Sequence, residues 1–574
     1  MRTTTLCYGG KFAFTAFWWL AVLSASQCAT GADNGLFVGA QFVDAVAVEA
    51  QASGSEREAT EAFVDYIKKM SGITLRLLPD GAPLRNRQGV VFLGRAAVRT
   101  GGFTADELAE AGHEGYRIRV RKGNVYLAGG EYYGTYFGVY ALLQELGARF
   151  YSHDHEVLPP VGRVAVPPLD LLRKPVFELR TIKYMVMRLG QHRGDRHMMR
   201  PNTVDPDLSV RVSWVHSSQY LVPFYRYGKT HPEYYARRRD GALDALRIKG
   251  SCSKLHICMS NPEVREIAKA RLIGAMEKQP DRRLFSVSQS DGYGWCECDG
   301  CRALDTRPGV RSDRLMDFVN ELAEAVLPTY PDKVIMTLAY CEDTAPVPVR
   351  TKPAPNVRVV LCPYTPEVQD KAHWFDHPLN RQFLPWYDAW TRLLPAGQLF
   401  IFDYPYADFR SLTSFHGHHF ERIKRYARDG IRGIYYDGRD RFMFSLFEYV
   451  TSRLAWDPEL ETRPLIEDFV SSYYGPAGPA MLRVYDAMAK VAALEDRSQG
   501  PTIDMRKFVT SRECESLFKL FAEAETLAVG NRQCLARVKE DKVYLLHTDL
   551  SKHNPVLGTI SDLSVFKERL GEYV

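Results

Sequence analysis

The middle of this chain alternates two kinds of segment, and that alternation constrains its fold more than any other feature. Eight apolar runs of strand length recur at residues 178–185, 210–216, 255–259, 284–289, 334–340, 357–362, 399–404 and 433–437. Helical stretches separate several of them. Residues 262–276 carry Val264, Ile267, Ala268 and Leu272 on one face, and 314–327 carry Leu315, Phe318, Val319 and Leu322. Residues 420–427 and 444–454 read as two more helices. Strands joined through helical crossovers pair in parallel, because each crossover returns the chain to the same end of the sheet. Eight such units over roughly 280 residues predict a closed (β/α)8, TIM-like barrel. A doubly wound open sheet is the alternative, and no GxGxxG follows a strand to favour it.

The flanks are of different character. Ser55-Glu-Arg-Glu58 reads as a capping box. Ala59, Ala62, Phe63, Tyr66, Ile67 and Met70 then share one helical face, which Gly72 ends. Strand-like runs at 73–78, 90–93, 116–120 and 125–127 follow, with a second helix at 135–146 stopped by Gly147. These predict an N-terminal α/β domain over 33–158. The proline-spaced stretch 159–175 reads as a linker and 176–457 as the barrel. A C-terminal helical domain takes 458–574, with helices at 464–474, 479–494, 512–528 and 535–546.

The first residues read as an export signal. Arg2 and Lys11 precede an apolar stretch from Phe12 to Leu23 broken only by Thr15, and small residues accumulate from Ser24 to Ala32. The order basic, apolar, small is that of a secretory signal peptide. The run falls short of the roughly 20 apolar residues a spanning helix needs. Residues 1–32 are expected to be removed between Ser26 and Ala32, giving a periplasmic or extracellular protein with no integral membrane span. A lipid-modified Cys28 is the rival, disfavoured by the bulky Gln27 before it. A net charge of +5 over 574 residues is weak. With no basic run interleaved with aromatics, it argues against nucleic acid as a partner.

Barrel sites form at the C-terminal ends of the strands, which selects candidates without any comparison. Strand one carries Arg180 and strand two ends at His216. Strand four ends in Gln289-Ser290-Asp291-Gly292, and strand five in Tyr340-Cys341-Glu342-Asp343. Strand seven ends in Asp403-Tyr404, and strand eight in Tyr436-Asp437. Glycosidic cleavage needs one carboxylic acid to protonate the leaving oxygen and a second carboxylate to attack or to activate water. Asp291, Asp403, Glu342 and Asp437 are the candidate catalytic carboxylates. The competing reading for each is a helix cap or turn former. Gln289, His216, Tyr404 and Tyr436 are candidate sugar contacts, with His216 read as a hydroxyl ligand or a satisfied histidine rather than a base. No cofactor is expected for catalysis.

Cys296-Glu-Cys298-Asp-Gly-Cys301 is the sharpest local motif. Three thiols within six positions, with Cys258 from the preceding strand as a fourth, suit a structural zinc site. In an exported protein, one or two disulfides are the equal alternative. Cys252 and His256 are weaker fourth ligands.

Several segments carry a resemblance. Ser286-Val-Ser-Gln289-Ser-Asp291-Gly292 with the C-x-C-x-x-C run, and His231-Pro-Glu-Tyr234, resemble a bacterial family defined by a domain of unknown function. Cys258-Met-Ser-Asn-Pro-Glu-Val264, Asp403-Tyr404 and Tyr473-Tyr-Gly475 add to it. The part around Gly134-Thr-Tyr-Phe-Gly138 and Leu146-Gly-Ala-Arg-Phe-Tyr151 is similar to the domain preceding the barrel in α-glucuronidases and β-hexosaminidases. The resemblance implies a glycoside-hydrolase-like barrel with Arg180 holding a non-reducing-end sugar. Where hexosaminidases carry an adjacent Asp-Glu pair, this chain carries Asp291-Gly292, which argues against acetamido-assisted chemistry. The resulting expectation is an exported glycoside hydrolase acting on a polysaccharide fragment or glycan, the alternative being a non-catalytic carbohydrate-binding protein on the same scaffold.

Overall fold

The computed structural model describes residues 34–78, 87–130, 133–152, 154–182, 215–242, 255–280, 282–291, 294–363, 383–403, 417–436, 442–492 and 509–552. The N-terminal unit centres on a six-stranded sheet. Its strands are β1 (Ala45–Ala47), β2 (Arg76–Leu77), β3 (Val90–Leu93), β4 (Tyr116–Arg121), β5 (Asn124–Gly129) and β6 (Asp170–Arg173). They lie in the order β6-β4-β5-β3-β1-β2. Pairs β1–β2, β1–β3 and β3–β5 are parallel, whereas β4 runs antiparallel to both β5 and β6. Helices α1 (Gly54–Ser71) and α2 (Gly134–Glu145) bury Phe63, Ile67, Tyr136 and Tyr140 in one core with Val91, Ile118 and Leu127.

Two local expectations are corrected here. The capping box of α1 is formed by Ser53 and Glu56, two residues earlier than Ser55 and Glu58. Glu56 N donates to Ser53 Oγ at 3.2 Å, and Ser53 N donates to Glu56 Oε2 at 2.9 Å. Both frames satisfy the S-x-x-E spacing, so spacing alone does not choose between them. The stretch expected as a linker is built into sheets. Arg163–Val166 pairs in parallel with Gly35–Val38, and β6 pairs with β4. The N-terminal unit therefore extends past residue 158 to Arg173.

The central sheet has six parallel strands: β7 (Leu179–Ile182), β8 (Leu284–Ser286), β9 (Val334–Ala339), β10 (Val357–Leu361), β11 (Leu399–Asp403) and β12 (Gly433–Tyr436). Their order is β7-β12-β11-β10-β9-β8. A doubly wound sheet reverses its strand order at a switch point. Here each strand from β9 to β12 lies beside its predecessor, and the first strand joins the last, Leu179 opposite Gly433. The sheet curls into a half-barrel. Of the run 210–216, residues 210–214 lie outside the described residues. The run 255–259 makes a single antiparallel bridge, Ile257 to Tyr235, rather than a parallel strand.

Strand parity separates two cores. Leu179, Leu284, Met336, Leu338, Val360, Phe400, Phe402 and Tyr435 form the inner cluster. Their neighbours Phe285, Ile335, Val359, Leu361, Ile401, Ile434 and Tyr436 face outward. They meet helices α3 (Pro262–Lys278), α4 (Ser312–Val326), α5 (Cys341–Thr344), α6 (Gly417–Arg428) and α7 (Phe444–Trp456). Beyond Trp456 come α8 (Thr462–Tyr474), α9 (Gly478–Ala492), α10 (Ser511–Leu527) and α11 (Arg532–Lys552). Phe469, Val484, Phe521 and Leu545 of these helices belong to the same core as the outer face of the sheet. Among the described residues, no helix is long and apolar enough to cross a membrane.

Candidate active site

Position on a strand decides which way a side chain faces, and this sorts the candidates. Asp291 follows β8, and its side chain is 42 % exposed. His216 Nε2 stands 3.7 Å from Asp291 Oδ1, and Tyr340 Oη donates to the same oxygen at 3.4 Å. The His216 and Tyr340 rings meet edge to face at 5.8 Å. Burial, reinforced by the neighbouring Cys341 and Asp291, holds the Tyr340 phenol well above its usual range, so it remains a proton donor. Three polar groups from the ends of three segments thus converge at the mouth of the half-barrel.

A buried serine lattice fixes that convergence. Ser217 N donates to Ser288 Oγ at 3.1 Å, and Ser288 N donates to Ser217 Oγ at 2.8 Å. Ser218 N donates to Ser288 O at 3.0 Å, and Ser218 Oγ meets Ser290 Oγ at 2.7 Å. Ser290 also donates to Leu255 O at 2.7 Å. These bonds zip residues 216–218 to the extension of β8. Buried hydroxyls of this kind are tolerated because each is paired. Gln289 contributes from behind. Its carbonyl contacts His216 Nδ1 at 3.1 Å, and its amide donates to Thr344 Oγ1 at 2.9 Å. Thr344 Oγ1 in turn accepts from Tyr340 N at 2.9 Å. The period-two serines 286, 288 and 290 were the available sequence signal for this lattice. Ser217, Ser218 and Tyr340 are positioning residues that sequence reasoning did not single out.

The other candidates lie elsewhere. Asp403 ends β11 with outward parity, one residue past the inward Phe402. It is fully buried, 3.3 Å from Arg422 Nε, and accepts from Tyr426 Oη at 3.0 Å. Both partners sit on α6, so the carboxylate clamps strand to helix and does not reach the cleft. Tyr436 shares that outward parity and packs against Phe447 at 5.6 Å. Arg180 also points out of the half-barrel. It is 1 % exposed, ion-paired with Glu114 of the N-terminal unit, and donates to Phe177 O at 2.5 Å. Its guanidinium lies 5.3 Å from the Trp456 ring and 5.7 Å from that of Phe137. A group so enclosed holds two units together rather than a sugar. Glu342 is exposed on α5. Asp437 and Tyr404 lie outside the described residues.

Three residues past Asp291, Gly294 lines an open cleft of about 650 Å³ together with Arg237, Arg238, Arg239, Asp240, Trp295, Glu297, Arg311 and Asp343. Trp295 stacks obliquely on His256 at 4.5 Å. One wall is the cysteine segment, where Glu297 N donates to Arg237 O at 2.8 Å. Cys258, Cys296, Cys298 and Cys301 come together there, their sulfurs all within 4.8 Å of one another. The strand-three and strand-four candidates therefore meet as one four-thiol cluster. Cys252 lies outside the described residues, and His256 is engaged by Trp295.

The family profile described as "Domain of unknown function (DUF4838)" matches residues 150–486. No curated protein sequence matches the chain. Among solved structures, a family GH115 4-O-methyl-α-glucuronidase with specificity for decorated arabinogalactans is similar at TM-score 0.53 and 10 % identity. That match covers 92 % of this chain and 76 % of the other. A family 89 glycoside hydrolase from Clostridium perfringens in complex with PUGNAc gives TM-score 0.49 at 10 % identity, over 91 % of this chain and 65 % of the other. At such identities the likeness to the glucuronidase concerns the fold.

Proposed function

We propose that this chain, which belongs to the DUF4838 family, is an exported glycoside hydrolase cleaving a polysaccharide fragment or glycan. The observation that carries the reading is Asp291 at the half-barrel mouth, joined by Tyr340 and His216. The half-barrel of six parallel strands supports an eight-stranded barrel. Asp291 acts as the general acid, giving its proton to the glycosidic oxygen as the bond to the anomeric carbon breaks. A second carboxylate, Glu342 or Asp437, attacks that carbon or takes the proton of the attacking water. Trp295 offers an apolar edge for a sugar face. A substrate bearing a uronic acid would be in keeping with the name of the similar glucuronidase.

The test is Asp291→Asn. The amide keeps the shape but delivers no proton, so turnover of natural glycan should fall by about 10²–10⁴-fold. Sugar affinity should change little, and an activated aryl glycoside should suffer less. Full activity in the variant would remove Asp291 from the acid's role. The second reading, a non-catalytic carbohydrate-binding protein, draws support from Asp403, whose burial in an ion pair leaves one fewer carboxylate at the mouth. That reading requires that the wild type turn over no acidic oligosaccharide while still binding one.

A further inference from the structure

The cysteine cluster supports a conclusion of its own, independent of the glycosidase reading. Cys258 Sγ lies 3.7 Å from Cys298 Sγ and 3.8 Å from Cys301 Sγ. A disulfide brings sulfurs to about 2.05 Å, so these are not bridged pairs. Four thiolates around zinc at about 2.3 Å define a tetrahedron with sulfur–sulfur edges of about 3.8 Å. The two distances match that edge. Cys258, Cys296 and Cys301 are buried and Cys298 is half-buried, and four thiolates leave no position for water.

The surroundings fit a bound dication better than four free thiols. Zinc with four thiolates carries two net negative charges, which a buried site must offset. Cys301 N points at Cys298 Sγ, at 3.4 Å. The Ser260 hydroxyl lies 3.3 Å from Cys301 Sγ and 3.5 Å from the sulfurs of Cys258 and Cys298. Gly300 keeps that hydroxyl in place, since a Cβ there would come within 2.8 Å of Ser260 Oγ. Arg314, 1 % exposed, donates to Cys296 O at 2.6 Å and to Asp305 at 3.0 Å, bringing a fixed cation to the edge of the cluster. The backbone N–H on Cys298 Sγ suits a thiolate acceptor, and the Arg314 guanidinium, shared with Asp305, lies at the edge of the cluster.

We infer that Cys258, Cys296, Cys298 and Cys301 bind one structural zinc ion. It ties the segment before α3 to the loop after β8, which forms one wall of the arginine-lined cleft. Binding displaces the thiol protons, and the ion takes no part in chemistry because its four positions are filled.

Elemental analysis of the purified full chain should find one zinc per molecule, and a thiol-displacing reagent should release it in step with four thiols. Cys298→Ser, with three thiolates left, should retain well under one zinc per molecule. Because this variant could misfold, the wild type is also to be exchanged with cobalt(II). Intense tetrahedral d–d bands with a thiolate charge-transfer band would support the site. Metal-free folded protein whose mass shows these cysteines paired as disulfides would overturn the inference, and so would stoichiometric iron. Neither result bears on Asp291, so the two proposals fail separately.

Discussion

His216 and Cys341 adopt left-handed backbone, with φ of 55° and 54°, although neither is glycine. Such conformations cost free energy and persist where the surroundings over-determine them. Here the serine lattice fixes one and the Tyr340–Thr344 turn the other, and both flank the ring pair that meets Asp291. Replacing Tyr340 with Phe keeps the ring and removes the donor, so kcat should fall about 10-fold with KM little changed, as expected when a group near the acid is lost. Asp403→Asn tests a different role. It leaves Arg422 without its charge partner in a buried site, which typically costs about 3–5 kcal/mol. Urea unfolding should show that loss, whereas a catalytic Asp403 would give an inactive variant of unchanged stability. Sequence reasoning put Asp291 ahead of Asp403 but kept both as candidates, because Leu399 to Phe402 are all apolar. Strands buried on both faces carry no alternation to reveal which parity faces inward. Asp291 stood out because it sits among small polar residues, with Gly292 and Gly294 after it.

At the scale of elements, six of the eight expected strands of the central unit stand where the hydrophobic pattern put them, most with ends trimmed, and the four helices start or end within a few residues of expectation. The helix α3 begins at Pro262 with Asn261 accepting from Glu263 N at 2.9 Å, a start the Asn-Pro pair announces. Residues 163–166 were misread because prolines on both sides mask a four-residue alternation of exposed and buried positions, whose partner strand lies more than a hundred residues earlier. Pairing at that range leaves no local trace. The cap of α1 is a direct test of the frame. Ser53→Ala should cost about 0.5–2 kcal/mol in thermal or urea unfolding, and Ser55→Ala markedly less.

For the whole molecule, the contacts between units matter more than any one unit. The Arg180–Glu114 pair joins the N-terminal sheet to β7, and Asp541 of α11 reaches across to accept from Met443 N at 2.8 Å and from Tyr474. Burial pushes the Asp541 carboxyl up to about 7, against the opposing hydrogen bond from Tyr474. An unfolded aspartate titrates near 3.9. Below about pH 4 both states are protonated and the contribution is complete. Between about 4 and 7 the unfolded chain loses its proton first and stability declines, levelling off above about 7. Asp541→Asn should flatten the slope of unfolding free energy in that window, by an amount on the order of a few kcal/mol. The seam between β7 and β12 has a consequence for synthesis. Leu179 waits for Gly433, so until the ribosome has passed that point the first strand has no neighbour on that side. Chains rich in such distant pairings fold slowly, and an unpaired strand edge recruits other chains. Truncations that stop short of residue 433 should therefore be recovered as aggregates, and those that end just beyond Tyr436 should show the first gain in soluble yield.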